Sequence, residues 1–404
     1  MGRKITCVGG GPAGLYFAIL AKRLGPDHAV TVIERGREGT TYGWGVVFWD
    51  GLLEDLEGTD PETARQVRAN AFRWSDLTLR VDAAPPIREP GHGYSVRRQT
   101  LLDILVERAR AVGVELVFGR EAEDVSELAG SDLVVASDGA NSHLRQQRAP
   151  HFGTRVVRGR NRYIWLGTSK VFDSFTFPFV NTEAGLVWAH AYGFDSAGST
   201  FIVETSPETW RDLGFDGLPP DRTMRLLEEI FEASLDGHPL EPQVGTRDLT
   251  PWLEFRTVTN RSWYHGNLAL MGDAAHTTHF TIGSGTRLAL EDAIGLATAL
   301  RDQVDVPSAL RAYGKQRSGD LVEAQRAARN SAAWFEHVDR YARLGAPRLA
   351  ELMSRRRSSF LRRLPPLAYL KLIHAGSRVP AMTSLARRGV FGWRKLNRRR
   401  HARR

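Results

Sequence analysis

Short runs of apolar residues alternate with longer stretches whose apolar positions recur every three or four residues. The runs at 4–8, 29–33 and 133–136 are rich in β-branched residues, and an amphipathic stretch follows the first of them. Short apolar runs are typical of strands buried on both faces, and the longer period is typical of helices. These parts of the chain therefore predict an α/β fold with a mostly parallel sheet.

The middle of the chain has a different pattern. Between residues 156 and 256, aromatic and β-branched runs cover 163–180, 186–194 and 199–206, with turn signals between them. This pattern predicts an antiparallel sheet. The sequence over 223–235 predicts one amphipathic helix within it.

Two further segments complete the pattern. Weak alternation over 74–96 predicts a pair of strands, and the glycine- and aromatic-rich stretch 43–56 predicts a loop that leads into a helix. Residues 287–340 have helical periodicity, and 341–404 form a basic helical segment interrupted by prolines.

The first strand ends in a glycine-rich turn. Gly9, Gly11 and Gly14 form G-x-G-x-x-G between this strand and a helix, and Glu34 ends the next strand twenty residues beyond Gly14. In this pattern the glycines permit a tight turn and a close approach to a pyrophosphate, and the acid holds a ribose 2′-hydroxyl. The sequence therefore predicts a site for NAD or FAD rather than NADP.

Two later strands end in an acidic residue. Asp138-Gly139 follows the strand at 133–136, and Gly272-Asp273 follows the apolar run that ends at Met271. Ligands of open α/β sheets bind at this edge of the sheet. After Gly283 and Gly285 a helix begins, and its free N–H groups suit a phosphate or an electron-rich ring edge, whereas Asp273 suits sugar hydroxyls.

We expect a nucleotide-binding domain into which an aromatic-lined sheet is inserted. The segments are 1–73, 97–155 and 257–340 for the nucleotide-binding domain, 74–96 and 156–256 for the substrate-binding sheet, and 341–404 for the C-terminal helical segment.

Charged residues are distributed unevenly along the chain. The net charge of +9 comes from the C-terminus, since residues 352–404 hold 16 Lys and Arg and no acid, leaving 39 basic residues against 46 acidic ones elsewhere. An arginine-rich tail is suited to phosphate groups, although a solvated tail would have the same composition. No nucleic-acid recognition motif accompanies it.

Cysteine usage and hydropathy favour a cytoplasmic protein. Cys7 is the only cysteine, which leaves no internal disulfide and no cysteine-based metal site, and we expect no metal. Glycines interrupt the N-terminal apolar run, which argues against a signal peptide, and no run approaches a membrane span.

The glycine fingerprint with Glu34, Asp138-Gly139 and Gly272-Asp273 together resemble the single-component FAD-dependent aromatic hydroxylases over residues 1–330. The resemblance implies bound FAD, transient NAD(P)H and hydroxylation of an aromatic ring through a flavin C(4a)-hydroperoxide. Carried over position by position, it implies an FAD site formed by Gly9, Gly11, Pro12, Ala13, Gly14, Glu34, Arg35, Trp44, Arg98, Asp138, Gly139, Asp273, Gly283, Gly285 and Thr286.

Some positions resemble a narrower group. Phe280 and Arg287 stand where much of the class has proline and asparagine. This group includes salicylyl-CoA 5-hydroxylase, the monooxygenase part of 2-aminobenzoyl-CoA monooxygenase/reductase and the tryptophan hydroxylase of violacein biosynthesis. Together with the arginine-rich tail, which could meet CoA phosphates, the resemblance favours an aryl-CoA thioester such as salicylyl-CoA as substrate, although the tryptophan hydroxylase shows that the group is not confined to thioesters. Alternatives are hydroxylation of free tryptophan or another natural product, or a flavin reductase or redox sensor without oxygenation.

A ring with a hydroxyl or amino group needs a nearby proton acceptor, for which histidine is the usual residue. His279 lies in the loop expected near the flavin, and His190 and Tyr192 lie on a strand of the insert; these are the catalytic candidates. His276 is interpreted as structural, and Trp44 and Phe48 as possible walls of the flavin site. We expect a monomer or homodimer without a nucleic-acid partner.

Overall fold

The computed structural model describes residues 2–122, 124–243 and 251–377 of the chain. The strands are β1 Lys4–Val8, β2 Ala29–Glu34, β3 Gly45–Phe48, β4 Phe72–Val81, β5 Ile87–Arg97, β6 Glu115–Phe118, β7 Leu133–Ala136, β8 Arg155–Thr168, β9 Phe175–Thr182, β10 Gly185–Gly193, β11 Ser199–Thr205, β12 Leu240–Glu241, β13 Leu253–Thr259, β14 Tyr264–His265 and β15 Leu268–Leu270.

The α-helices are α1 Pro12–Leu24, α2 Asp50–Thr59, α3 Pro61–Ala69, α4 Arg98–Ala111, α5 His143–Gln147, α6 Ala149–Phe152, α7 Pro207–Asp212, α8 Pro220–Ile230, α9 Glu232–Leu235, α10 Gly285–Asp302, α11 Val306–Phe335, α12 Asp339–Ala342, α13 Ala346–Ser354, α14 Ser359–Arg363 and α15 Pro366–Ser377. Short 3₁₀ turns cover Val125–Leu128, Gly272–Ala274 and Phe280–Ile282.

The first sheet has the strand order β14-β15-β7-β1-β2-β6. Its central strands are parallel, with Cys7 opposite Val32 on one side and Val135 on the other. All residues of β7 and β15 are buried, as the short apolar runs predict. They belong to one apolar cluster with residues of α1 and α10. The prediction of a Rossmann-like α/β domain is confirmed.

The second sheet has the order β12-β8-β11-β10-β9-β4-β5-β3, and β13 also pairs with β8. Its pairs are antiparallel except β4 with β9, which run parallel with Leu77 opposite Phe175. The sheet is the aromatic insert, and the strand pair predicted over 74–96 is the β4–β5 hairpin within it.

Two local predictions were wrong. The segment expected as a loop contains β3, which pairs with β5 and places Val46 opposite Val96 at the edge of the second sheet. The helix expected over 223–235 is divided at Phe231, which is fully buried with its ring 5.1 Å from that of Phe201. The six segments remain our proposal for the domain boundaries.

The C-terminal helices pack on the second sheet. Phe335, at the end of α11, stacks on Trp188 of β10 with ring centroids 6.0 Å apart, and Trp334 stacks on Tyr341 at 4.9 Å. Leu349 and Leu352 of α13 belong to the same buried cluster. Most of the arginine-rich tail, including 387–404, lies outside the described residues. Within the described ranges, no helix is both long and apolar enough to cross a membrane.

Candidate active site

A cavity of about 1200 Å³ lies between the two sheets. One side is formed by turns at the carboxyl ends of β1, β2, β7 and β15. The other side is formed by β8, β10, β11 and β13 of the aromatic sheet. The predicted nucleotide turns and the predicted substrate sheet therefore face one another across one space.

The glycine turn after β1 is tightly packed. A Cβ added at Gly9, whose φ is +107°, would lie 2.3 Å from the Ser137 carbonyl oxygen, and one at Gly14 would lie 2.2 Å from that of Gly9. At Gly11, in contrast, a Cβ would meet no atom within 4 Å. Helix α1 begins next to it without a side-chain cap, so its first N–H groups are open to a ligand phosphate.

Glu34 is held in place by the backbone. Its Oε2 accepts a hydrogen bond from the Gly10 N–H at 2.6 Å, and its Oε1 accepts one from the Gly36 N–H at 2.7 Å. Each carboxylate oxygen has a further lone pair that can accept a ribose hydroxyl. Arg35, also in the wall, is more exposed and lies 3.7 Å from Glu121.

Asp138 has an unsatisfied oxygen. Its Oδ2 accepts a hydrogen bond from the His143 N–H at 2.8 Å, whereas its Oδ1 is buried without a hydrogen-bonding partner among the described residues. Burial raises the pKa of this carboxyl group. A buried oxygen without a partner costs free energy, so a ligand hydroxyl or amine would satisfy it. The adjacent Gly139 has φ +83°.

Asp273 and Arg98 both line the cavity, and their charges interact. Asp273 is open to the cavity, and desolvation by the surrounding cavity walls raises its pKa, while His276 and Arg98 act in the opposite direction. Burial lowers the pKa of Arg98, partly offset by Asp273, and its Nε donates to Thr41 Oγ1 at 3.1 Å. The pair can therefore present an acceptor and a cationic donor to one polar ligand.

The loop around Asp273 is held in place by hydrogen bonds to a carboxylate of α10. Asp292 of α10 accepts hydrogen bonds from the Gly272 N–H at 3.1 Å and from Arg317 Nε at 2.8 Å. His276 Nε2 lies 2.7 Å from the same carboxylate. These contacts fit the structural role expected for His276.

Helix α10 begins at the cavity. Gly283 has φ +59°, and Ser284, at the N-cap, makes no side-chain capping bond. Gly283, Gly285 and Thr286 all line the cavity. The uncapped N–H groups carry the positive end of the helix dipole, which suits an electron-rich ring edge.

The predicted catalytic residues are only partly brought together. His190 and Tyr192 line the cavity, and the Tyr192 hydroxyl donates to the Gly45 carbonyl oxygen at 2.9 Å. The ring of His279 lies behind that of Phe280, 4.4 Å away, and is not among the lining residues. Burial lowers the pKa of His279 to about 4, and Glu204 partly offsets this.

Trp44 and Phe48 do not take the position expected of a flavin wall. Trp44 stacks on Phe194 with centroids 6.4 Å apart and covers Gly167, where a Cβ would clash with it at 2.5 Å. From this strand, Gly45, Val46 and Val47 line the cavity instead.

Sequence reasoning missed several residues of the site. Tyr163 lines the cavity with its ring 5.0 Å from that of Phe280. Glu204 is a carboxylate buried in the otherwise apolar run STFIVET, which was the available signal for it. The third missed feature, a group of arginines on β8 and β13, is spread over two distant parts of the sequence.

A family model described as an FAD binding domain matches residues 88–328. A 3-hydroxy-4-methyl-anthranilyl-[aryl-carrier protein] 5-monooxygenase of Streptosporangium sibiricum is 38% identical, over 83% of this chain and 90% of the relative. The chain belongs to the FAD-dependent aromatic monooxygenases.

Other relatives of this monooxygenase point the same way. A salicyloyl-CoA 5-hydroxylase of Streptomyces is 42% identical over 84% of this chain, which spans 66% of that relative's length. The protodeoxyviolaceinate monooxygenase of Chromobacterium violaceum is 33% identical, over 90% of this chain and 96% of the relative.

Solved structures of 2-methyl-3-hydroxypyridine-5-carboxylic acid oxygenase and of P. aeruginosa PqsL share the fold. Their TM-scores are 0.65 and 0.66, each at 20% identity. The matches cover 91% and 85% of this chain and 98% and 99% of the respective structures.

The cofactor of this monooxygenase is FAD, with NAD(P)H as co-substrate. The fixed carboxylate of Glu34, the unsatisfied Asp138 oxygen and the two uncapped helix starts fit such a dinucleotide. When bound, FAD accepts a hydride from NAD(P)H and activates O₂ for transfer of one oxygen atom to a ring.

Proposed function

We propose that this monooxygenase hydroxylates an aromatic ring carried as a thioester, with salicyloyl-CoA as the model substrate. The observation that carries the proposal is the 42% identity to a salicyloyl-CoA 5-hydroxylase. It is supported by the relative that acts on an anthranilyl group held by an aryl-carrier protein. Both names describe a small ring attached to a phosphopantetheine arm.

The wall of the cavity formed by β8 and β13 fits such an arm. Arg158, Arg162 and Arg256 line it, and Arg158 and Arg162 both contact the carboxylate of Glu254. Arg256 instead donates to Asn141 Oδ1 at 2.8 Å. Three guanidinium groups with one carboxylate leave an excess of positive charge where phosphates of a carrier could bind.

We assign the FAD to the opposite wall. Gly9, Gly11 and the start of α1 would face the pyrophosphate, and Glu34 the adenosine ribose. Asp138 and Asp273 would accept hydroxyl groups of the FAD chain, and the uncapped start of α10 would face the flavin ring. This leaves the ring of the substrate among Tyr163, Phe175, His190 and Tyr192, which exclude water from the oxygen transfer.

The test compares salicyloyl-CoA with salicylate, each with NADH and with NADPH. Oxygen uptake, NAD(P)H oxidation and hydroxylated product are measured together. We expect product in proportion to oxygen consumed with the thioester alone. Coupled hydroxylation of the free acid but not of the thioester would overturn the proposal.

The arginine wall is tested with Arg158→Gln. We expect the KM for salicyloyl-CoA to rise roughly threefold to tenfold, because a phosphate contact is lost, with the KM for NAD(P)H unchanged. The N-acetylcysteamine thioester has no phosphates, so its kinetics should be the same in both proteins. Arg155→Gln is the matched control, since Arg155 is an exposed residue of β8 outside the cavity. Equal effects on both thioesters would contradict the assignment.

A second candidate is hydroxylation of free tryptophan or another natural-product aromatic, which the similarity to protodeoxyviolaceinate monooxygenase favours. In that case the arginine-rich tail has no phosphate to meet. Removing residues 387–404 would then leave the KM unchanged, whereas the thioester proposal allows it to rise.

A further inference from the structure

Glu204 is a carboxylate enclosed in the second sheet, behind the cavity wall. Its side chain is 1% exposed. Its Oε1 accepts a hydrogen bond from Asn161 Nδ2 at 2.7 Å, and its Oε2 accepts one from Trp188 Nε1 at 3.1 Å. His190 Nε2 lies 3.1 Å from the same Oε2. Three polar side chains thus converge on one buried acid.

The chemistry of these partners fixes the protonation of the group. The indole and amide nitrogens can only donate, so both stabilise an ionised carboxylate. Although burial opposes ionisation, the contact with His190 and the nearby His279 lower the pKa of Glu204 overall. An ionised carboxylate cannot donate, so the hydrogen atom of the Glu204–His190 hydrogen bond is carried by His190 Nε2.

The other nitrogen of His190 is therefore the acceptor. Burial lowers the pKa of His190, with Glu204 partly offsetting the effect, so the imidazole is neutral near pH 7. A neutral ring that carries its hydrogen on Nε2 has a lone pair on Nδ1. Nδ1 makes no hydrogen bond with the described residues, and His190 lines the cavity.

Neighbouring side chains hold the imidazole plane. The ring of His190 meets those of Phe177, Phe280 and Phe335 edge-to-face, at 5.4, 5.3 and 5.0 Å. The ionisable groups that face the pair are His279, from the loop before α10, and Arg356, which follows α13. Tyr163 of β8 faces Glu204 from the neighbouring strand.

We propose that Glu204 is a positioning residue that keeps His190 in the Nε2–H form, so that its Nδ1 accepts the proton of a hydroxyl or amino group on the substrate ring. This rests on the proposed hydroxylase function and narrows its substrates to rings with such a group. The proton moves from the ring substituent to Nδ1, and its electron pair stays on the substituent and enriches the ring. The proton returns to the substituent when the product forms, and the Glu204 carboxylate stabilises the imidazolium in between.

The first experiment requires no substrate. The FAD-loaded protein is labelled with ¹⁵N-histidine, and the His190 ring signals are assigned by their loss in His190→Gln. We expect a protonated Nε2 and an unprotonated Nδ1 in the natural protein, and a changed tautomer in Glu204→Gln, whose amide can donate to Nε2. An Nδ1–H form in the natural protein, or His190 signals that are the same in Glu204→Gln, would overturn the proposal.

The second experiment measures turnover of salicyloyl-CoA against pH. Glu204→Gln should lower kcat on the order of 10²-fold, with a smaller change in KM, because the acceptor is lost and ring binding is retained. Glu204 raises the pKa of His190, so its removal should also shift the acidic limb of the kcat profile to lower pH. A merely structural role would lower activity without moving this limb.

Two variants complete the test. Glu204→Asp keeps the charge and should restore part of the kcat and the natural tautomer. Glu208→Gln is the control, because Glu208 forms an exposed contact with Arg160. If Glu204→Gln does not fold, the tautomer of the natural protein still decides the proposal. If salicyloyl-CoA is not hydroxylated, the proposed function fails while the histidine signals still test Glu204.

Discussion

At the scale of single residues, the site depends on glycines, because the absence of a Cβ allows close packing at some positions and leaves open space at others. Gly9 and Gly14 carry no Cβ because the turn after β1 has no space for one. Gly11 is different, since a Cβ there would only enter the cavity. The same fingerprint therefore contains two glycines required by packing and one, Gly11, that packing does not require and that we propose is needed for the ligand.

This difference predicts opposite behaviour of two alanine variants. Gly14→Ala places a Cβ 2.2 Å from the Gly9 carbonyl oxygen and should destabilise the FAD-free protein by about 2 kcal/mol or more. Gly11→Ala should change that stability by less than about 1 kcal/mol but weaken FAD binding strongly. Urea unfolding of the FAD-free proteins and flavin titration measure the two effects. Equal stability losses in both variants would contradict this account.

At the scale of elements, the C-terminal helices are tied to the flavin-side loop through one side chain. Arg356 donates from Nε to Ser331 Oγ at 3.2 Å, from Nη1 to the Met353 carbonyl at 2.9 Å and from Nη2 to the Thr281 carbonyl at 3.2 Å. Its guanidinium also lies 5.8 Å from the centre of the Phe177 ring. The group thus joins α11, α13 and the turn before α10.

Arg356→Met should loosen this junction. The substitution introduces an apolar side chain of similar length but leaves three acceptors without their donor. Each buried acceptor left without a partner costs roughly 1–3 kcal/mol of stability. Part of this cost is offset because a cation is no longer buried. We expect limited proteolysis to cleave between α13 and α15 several times faster. Arg355→Met is the control, because Arg355 forms an ion pair with Glu351 one turn away in the same part of the chain, at 4.0 Å. Equal cleavage rates in the two variants would argue against the junction.

At the scale of the whole molecule, folding removes ionisable groups from water and so changes their pKa values. His279 is the clearest case, because burial lowers its pKa from 6.5 to about 4. The unfolded chain therefore binds more protons than the folded one between these values. The free energy of unfolding should fall as the pH falls through this window and should not be affected by His279 above it.

His279→Gln should make the FAD-free protein less sensitive to acid. Between pH 7 and about pH 4, we expect the natural protein to lose roughly 2 kcal/mol more stability than the variant. Urea unfolding at several pH values measures the difference. His337→Gln, at an exposed position of the surface, is the control. Parallel pH profiles for the natural protein and His279→Gln would contradict the lowered pKa.

The amino-acid sequence was enough to predict those parts of the fold and of the site that depend on residues close together along the chain. The edge of the first sheet at which a dinucleotide binds was predicted from the fingerprint of Gly9, Gly11 and Gly14, from Glu34 and from the acids after β7 and β15. Turn geometry and strand ends are set by neighbouring residues, so short motifs are enough to locate them. The aromatic and β-branched runs between residues 156 and 256 predicted the second, antiparallel sheet in the same way.

Which side chains meet across the cavity could not be predicted from the sequence and is seen only in the folded arrangement of the two sheets. It placed His190 in the wall and His279 behind Phe280, turned Trp44 away from the expected flavin site, and brought Glu204 against His190 from the neighbouring strand. The contact between His190 and Glu204 depends on strand register, because a shift of one residue would turn either side chain to the opposite face of the sheet.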